Sequence, residues 1–226
     1  MGAIMAVAET LRGVPLFQEL ADEELERVAG ATRARTYPRN SVILFEDDPG
    51  DALYVVAGGQ VKVVLVGEDG REVILSVMGP GDFFGEMSLI DDEPRSAHVI
   101  AMEDAQLFVL RREDFQHALE EHPRIAIGLL RALSRRLRRA DDQIGALVLL
   151  DVTGRVAKLL LELADEEDGV TITRRLTHHT LAQMVGSSRE TVSRTMRDLV
   201  ERGCIAVNRQ SIVLADRGAL ARAAGQ

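Results

Sequence analysis

Apolar residues change their spacing several times along this chain, and each change marks a different kind of element. Leu11, Val14, Leu16, Phe17 and Leu20, then Leu25, Val28 and Ala29, recur at helical intervals and predict short helices over residues 8–30. Asp22 is the expected N-cap of the second, and Gly30 fits its C-terminus. From Arg33 to Leu110 the pattern becomes short β-branched runs: Ser41–Phe45, Ala52–Ala57, Gln60–Val66, Glu72–Met78, Ala97–Ala101 and Gln106–Leu110. Turn signals separate them, among them Gly58-Gly59 and Asp69-Gly70, which read as tight hairpins. Short strands at regular spacing predict an antiparallel sandwich or barrel.

Helical spacing returns at Pro123, which suits a first helical turn. Leu130, Leu133, Leu137, Ala140, Ile144 and Leu147 fall alternately three and four apart. Such a seam, sustained over about three heptads, predicts a coiled-coil dimer. Asp151-Val152-Thr153-Gly154 breaks it and reads as a hinge before another amphipathic helix with Val156, Leu159, Leu160 and Leu163. Val170–Thr173 suits a short strand. Thr177 then caps a helix through Val185, Gly186 permits a turn, and Ser188 caps a second helix with Val192, Met196, Leu199 and Val200 inward. Ile205–Asn208 and Ser211–Leu214 around Arg209-Gln210 complete a two-stranded wing.

Charge sharpens this division. The chain has 226 residues, an apolar fraction of 46% and a net charge of −9, so it does not coat nucleic acid as a bulk polycation. Yet residues 1–150 carry 26 acidic and 16 basic side chains, whereas residues 174–222 carry 4 and 9. An acidic front part and a basic tail domain follow. The single cysteine, Cys204, excludes an intrachain disulfide or an all-cysteine metal site within one chain. No membrane-length apolar run and no basic leader are present at Met1–Ala8, so a cytoplasmic location with no membrane partner is expected.

Two constellations carry chemistry. In Gly85–Ala97, a Gly is followed by Glu86, and nine residues later Arg95 and Ser96 stand side by side. Arg offers a charged fork to phosphate oxygens, Ser a hydroxyl, and Glu an acceptor for a ribose hydroxyl. Gly85, Glu86, Met87, Ser88, Arg95, Ser96 and Ala97 are the candidate cradle for a sugar phosphate. The competing reading is a turn with a surface ion pair between Glu86 and Arg95. In the helix–turn–helix, Arg189, Glu190 and Arg194 face outward near the start of the second helix, where such helices read base edges. Arg suits guanine, and Glu suits cytosine, which no purely phosphate-binding surface needs. Thr177, Ser187, Ser188 and Thr191 are candidate phosphate contacts. His178 and His179 lack a third ligand at useful spacing, so no metal is expected. A metal enzyme on the β region would need a cluster of His and carboxylates, and the strands offer only His98.

Both constellations together resemble the catabolite-activator (Crp–Fnr) family of bacterial transcription regulators. The resemblance rests on Phe84-Gly85-Glu86 with Arg95-Ser96-Ala97, on Leu150-Asp151-Val152-Thr153-Gly154-Arg155, and on Val185 through Val192. It implies an α+β fold with a jelly-roll-like, cyclic-nucleotide-binding β-roll over residues 1–122, a dimerisation helix over 123–150, and a winged helix–turn–helix over 151–226. It further implies a homodimer rather than an enzyme, bound to palindromic double-stranded DNA under control of a cyclic nucleotide, with RNA polymerase a candidate partner. Glu86 would hold the ribose 2′-hydroxyl, and Arg95, Ser96 and Gly85 the cyclic phosphate. His178 stands where the family often has a more basic residue at the start of the first helix, implying a weaker or pH-dependent phosphate contact.

The chain departs from the family on the long helix. Members that bind cyclic AMP usually place Thr and a small polar residue where this chain has Ala140 and Asp141. Ala140 has no side-chain hydrogen bond to offer; Asp141 accepts from adenine N6 but matches guanine N1–H and N2–H₂ as well. Arg138 and Arg139 could stack on a base or meet guanine O6 and N7. Cyclic AMP is the leading expectation, with cyclic GMP, cyclic di-GMP or a ligand-independent member as alternatives.

Overall fold

The computed structural model describes residues 2–174, 176–208 and 211–225. The chain divides into two compact units, Met1–Leu137 and Arg138–Gln226.

The first unit opens with α1 (Gly2–Arg12) and α2 (Asp22–Ala31), followed by β1 (Arg33–Tyr37), β2 (Val42–Leu44), β3 (Ala52–Gly58), β4 (Val61–Val66), β5 (Glu72–Met78) and β6 (Phe83–Phe84). A single-turn helix α3 (Met87–Ile90) interrupts the strands before β7 (His98–Ala101) and β8 (Ala105–Arg111), and α4 (Arg112–Glu121) leads to the long α5 (Pro123–Leu149). Two antiparallel sheets form, in the orders β1-β8-β3-β6 and β2-β7-β4-β5. Tyr54, Val56, Val61, Val99, Leu107 and Val109 fill the space between them. Leu53, Val55, Phe83, Phe108 and Leu110 point the other way, into a second core with Leu11, Phe17, Leu25, Phe115 and Ile125 of the helical layer. Strands β3 and β8 of the first sheet are therefore covered on both faces, which explains why they read as largely continuous apolar runs rather than alternating ones.

Some local expectations are corrected. Asp22 is the first helical residue of α2, not its cap; the preceding Ala21 N–H donates to Glu24 at 2.7 Å. Gly30 lies inside α2, which ends at Ala31. Gly58-Gly59 closes no hairpin, because β3 and β4 belong to different sheets. Gly59 is needed for close approach instead: at φ +77°, a Cβ there would sit 2.5 Å from the Asp104 carbonyl oxygen. Asp69-Gly70 does join the paired strands β4 and β5. β1 escaped the apolar pattern because it is an exposed edge strand of Arg, Ala and Thr, held by its ladder to β8.

The second unit contains the end of α5, then α6 (Val152–Asp165), β9 (Thr171–Ile172), α7 (His178–Val185), α8 (Arg189–Glu201), β10 (Ile205–Val207), β11 (Ile212–Leu214) and α9 (Arg217–Ala223). The wing is three-stranded, in the order β10-β11-β9. Its expected tip, Arg209-Gln210, lies outside the described residues. Val156, Leu160, Leu181, Val192, Met196 and Leu199 form the core. Val200, expected inward, is exposed, at the edge of the stripe Val192–Met196–Leu199. The hinge expected over residues 151–154 is shorter, because Val152, Thr153 and Gly154 already belong to α6. The Asp151 carboxylate caps that helix by accepting from the Gly154 N–H at 2.8 Å. Gly154 serves packing rather than bending: a Cβ there would meet the Ala223 carbonyl oxygen at 2.8 Å.

Candidate functional sites

The stretch after β6 turns inward at Gly85. Its φ is +84°, and a Cβ there would lie 2.7 Å from Arg95 Nη1 and 3.0 Å from the Ala52 carbonyl oxygen, so glycine is required. The turn delivers Glu86 to a position only 1% exposed, and Arg95 comes to 3%. These two do not form the surface ion pair of the competing reading. Arg95 instead donates from Nη1 to the Gly85 carbonyl at 2.6 Å and from Nη2 to the Ala52 carbonyl at 2.9 Å, with Asp51 Oδ1 at 3.5 Å. Its guanidinium also lies 5.9 Å from the Tyr54 ring centre. Burial, the largest cause, pushes the Arg95 guanidinium below its usual range.

Glu86 Oε1 accepts from Arg136 Nη1 at 2.5 Å. Arg136 also donates to the Phe83 carbonyl and lies over the Phe83 ring at 4.6 Å. Among the described residues, two buried side-chain polar atoms lack a hydrogen-bond partner: Glu86 Oε2 and Arg95 Nε. Both belong to this one stretch. Burying such groups without partners costs about 1–3 kcal/mol each, more when charged. Their coincidence leaves one acceptor and one donor open on the same stretch.

The remaining cradle candidates sort by burial. Ser96 is exposed, with its hydroxyl 3.9 Å from the sulfur of the exposed Met87. Ser88 and Ala97 are buried. Ser88 packs so closely on Gly50 that a Cβ at residue 50 would lie 2.2 Å from its own Cβ. Arg138, Ala140 and Asp141 belong to the second unit; Arg138 and Asp141 are exposed there and Ala140 is half-buried. His98 is half-buried on β7, its Nδ1 accepting from the Glu46 N–H at 3.1 Å.

Sequence reasoning missed Arg136 as a member of the site. The signal was present: Ile125, Leu129, Ala132 and Arg136 recur at spacings of four, three and four along the buried face of α5. An arginine in phase with a buried stripe needs a buried partner, and Glu86 provides it.

In the second unit Thr177 caps α7 by accepting from the Thr180 N–H at 3.0 Å, and Gly186 ends it in the left-handed region at φ 62°. Ser188 caps α8, accepting from the Thr191 N–H at 3.1 Å. Arg189, Glu190, Arg194 and Arg197 are exposed on α8. The Glu190 carboxyl is held below its usual range, first by its own backbone N–H and then by the Ser188 hydroxyl. His178 Nδ1 is engaged with the Ser193 hydroxyl at 2.8 Å, so that ring nitrogen is not free for a DNA phosphate. Arg155 ties the turn to the start of α6, donating from Nε to the Val185 carbonyl at 2.9 Å and from Nη1 to the Leu150 carbonyl at 3.1 Å.

Residues 34–122 match the cyclic nucleotide-binding domain family, and residues 154–223 match the Crp-like helix-turn-helix domain family. A CRP-like cAMP-activated global transcriptional regulator of Mycobacterium tuberculosis is 35% identical over 221 residues, 96% of this chain and 99% of that protein. The chain belongs to the CRP/FNR family of transcriptional regulators. A second family member, the cyclic AMP receptor protein of Thermus thermophilus, is 40% identical over 195 residues, covering 86% of this chain and 89% of its own. Among solved CRP/FNR structures, the c-di-GMP responsive global regulator CLP of Xanthomonas campestris superposes with a TM-score of 0.76 at 28% identity, over 86% of this chain and 99% of that one. The Thermus thermophilus catabolite activator protein gives 0.55 at 38% identity, over 93% and 98%. The Mycobacterium tuberculosis relative is named as a global transcriptional regulator. No described helix is long and apolar enough to cross a membrane, and no described group of three or more His, Cys, Asp or Glu could hold a metal ion.

Proposed function

We propose that the chain is a homodimeric, sequence-specific DNA-binding regulator whose activity is set by a cyclic nucleotide held at Gly85–Ala97. One observation carries the ligand reading: the unpartnered buried atoms Glu86 Oε2 and Arg95 Nε flank the same turn. A ribose hydroxyl donates to the first, and a phosphate oxygen accepts from the second, with the exposed Ser96 hydroxyl as a further donor. The α5 seam supports the dimer. Leu130 and Leu137 are 64% exposed, Ile144 60% and Leu147 54%, a stripe of large apolar side chains that a second helix would cover. Arg189, Glu190 and Arg194 would read base edges of a palindromic site, while Thr177, Ser187, Ser188 and Thr191 meet phosphates. In this reading the domains follow residues 1–122, 123–150 and 151–226.

Cyclic AMP is the favoured effector, because it is named for both curated relatives. A guanine nucleotide is the second reading, favoured by Asp141 beside Ala140 and by Arg138, and by the c-di-GMP response of the Xanthomonas regulator. Regulation is a shift of population, so the effector must bind the DNA-binding arrangement more tightly. Parallel calorimetric titrations with cyclic AMP, cyclic GMP and cyclic di-GMP, each followed by DNA-binding measurements, test the proposal. Binding of one nucleotide with enhanced DNA affinity is expected; binding of none with unchanged DNA affinity would leave a ligand-independent regulator.

A further inference from the structure

Arg112 is the first residue of α4. A helix N-terminus is an unfavourable place for a cation, because the helix dipole is positive there. Arg112 is nevertheless drawn inward, with its side chain 28% exposed. Its Nε and Nη2 both donate to the Gly50 carbonyl, at 3.2 and 2.8 Å. Nη2 also donates to the Ser88 carbonyl at 2.7 Å, and Nη1 to Asp92 Oδ1 at 2.5 Å. The backbone N–H of Arg112 donates to the Asp51 carbonyl at 2.8 Å.

These acceptors come from three segments with one thing in common: all frame Arg95. Ser88 is in the helical turn after Glu86. Asp92 stands at the bend leading to Arg95 and occupies the left-handed region at φ 59°, unusual for a residue with a side chain. Gly50 and Asp51 precede Ala52, whose carbonyl accepts from Arg95. The Arg95 backbone N–H in turn donates to the Asp48 carbonyl at 2.9 Å. Two arginines thus grip the same segment, Arg95 from within the cradle and Arg112 from behind it.

We propose that Arg112 is the positioning residue of the phosphate-binding arm, holding the turn after Glu86 and the Asp92 bend at the separation that presents Arg95 and Ser96 to a cyclic phosphate. It touches no ligand. A lysine in its place has one ammonium and cannot span acceptors in three segments, so the role depends on the guanidinium fork. The inference rests on the reading of Gly85–Ala97 as the nucleotide site.

The test compares wild type, Arg112→Ala and Arg112→Lys by calorimetric titration with cyclic AMP, cyclic GMP and cyclic di-GMP, scored on whichever the wild type binds, and by amide hydrogen exchange without nucleotide. Arg112→Ala is expected to bind about 10- to 100-fold more weakly, from the loss of charge-assisted hydrogen bonds that order the arm. Exchange should rise over residues 85–97 and stay unchanged in β3 and β8, and lysine should restore little of the affinity. Wild-type affinity in Arg112→Ala would overturn the positioning role, as would exchange that rises equally through β3 and β8, because Arg112 would then only stabilise the unit. If Arg112→Ala does not fold, Asp92→Ala carries the test: a several-fold loss of affinity supports the role and wild-type affinity overturns it. A wild-type protein that binds none of cyclic AMP, cyclic GMP and cyclic di-GMP overturns the reading of the site itself, a failure distinct from normal wild-type binding with an unaffected variant.

Discussion

Replacing Arg136 by Ala isolates the electrostatics at the heart of the site. In wild type the carboxylate of Glu86, 1% exposed, has one charged partner, Arg136 at 2.5 Å. Breaking a buried pair from one side costs about 3–5 kcal/mol, because it strands a charge. The 32% exposure of Arg136 admits some water and lowers the expectation to about 2–4 kcal/mol. The variant should therefore be about 2–4 kcal/mol less stable than wild type. Tyrosine fluorescence suits the measurement: the chain has no Trp, and its two Tyr, residues 37 and 54, both lie in the first unit. Urea unfolding followed by that signal gives the difference. Glu86→Gln in the Arg136→Ala background should recover most of the loss, because it removes the stranded charge. No recovery in the double variant would refute the reasoning, leaving packing of Arg136 on Phe83 as the lost interaction.

Arg95→Ala should weaken nucleotide binding about 10- to 100-fold, the loss of one charge-assisted hydrogen bond, while the protein stays folded; titration and circular dichroism check both. Glu190→Ala should flatten the preference at one base pair by about 1–3 kcal/mol and change overall DNA affinity less, measured against a panel of single-base operator variants. A uniform loss across the panel would make Glu190 structural. Asp141→Ala should change the ratio of affinities among cyclic AMP, cyclic GMP and cyclic di-GMP, and equal weakening of all three would remove its base-reading role.

What was legible in the sequence follows from the kind of force involved. The strands of the roll and the helices of the C-terminal unit were visible because burial imposes periodicity, as in Val192, Met196 and Leu199. Thr177 and Ser188 were legible as caps because their hydroxyls satisfy local N–H groups three residues on. β1 was not, because Arg33–Tyr37 is exposed and held by backbone ladders that leave no side-chain signature. The two-residue β6 and the partner of Gly59 depend on contacts across the roll, which no local pattern encodes. For the cradle, residue types were readable and pairings were not. Glu86 and Arg95 are close in sequence and invite pairing, yet each finds its partner elsewhere: Arg136 lies 50 residues away from Glu86, and the Ala52 carbonyl 43 residues from Arg95.

Those long-range pairings bear on how the site is tuned. A carboxylate and a guanidinium that neutralised each other directly would present little field to a ligand. Here each is buried yet kept apart from the other, Glu86 by a separate arginine and Arg95 by backbone carbonyls. The separation leaves one acceptor and one donor open on the same turn. It also costs stability, because both open atoms are shielded from water without a partner. A ligand offering a hydroxyl and an anion at the right spacing recovers that cost on binding, whereas one offering only an anion recovers half of it. On the proposed reading, selectivity for a sugar phosphate over free phosphate therefore resides in Glu86, since both ligands would satisfy Arg95. Inorganic phosphate should accordingly compete poorly with a cyclic nucleotide, and Glu86→Ala should narrow the gap between them.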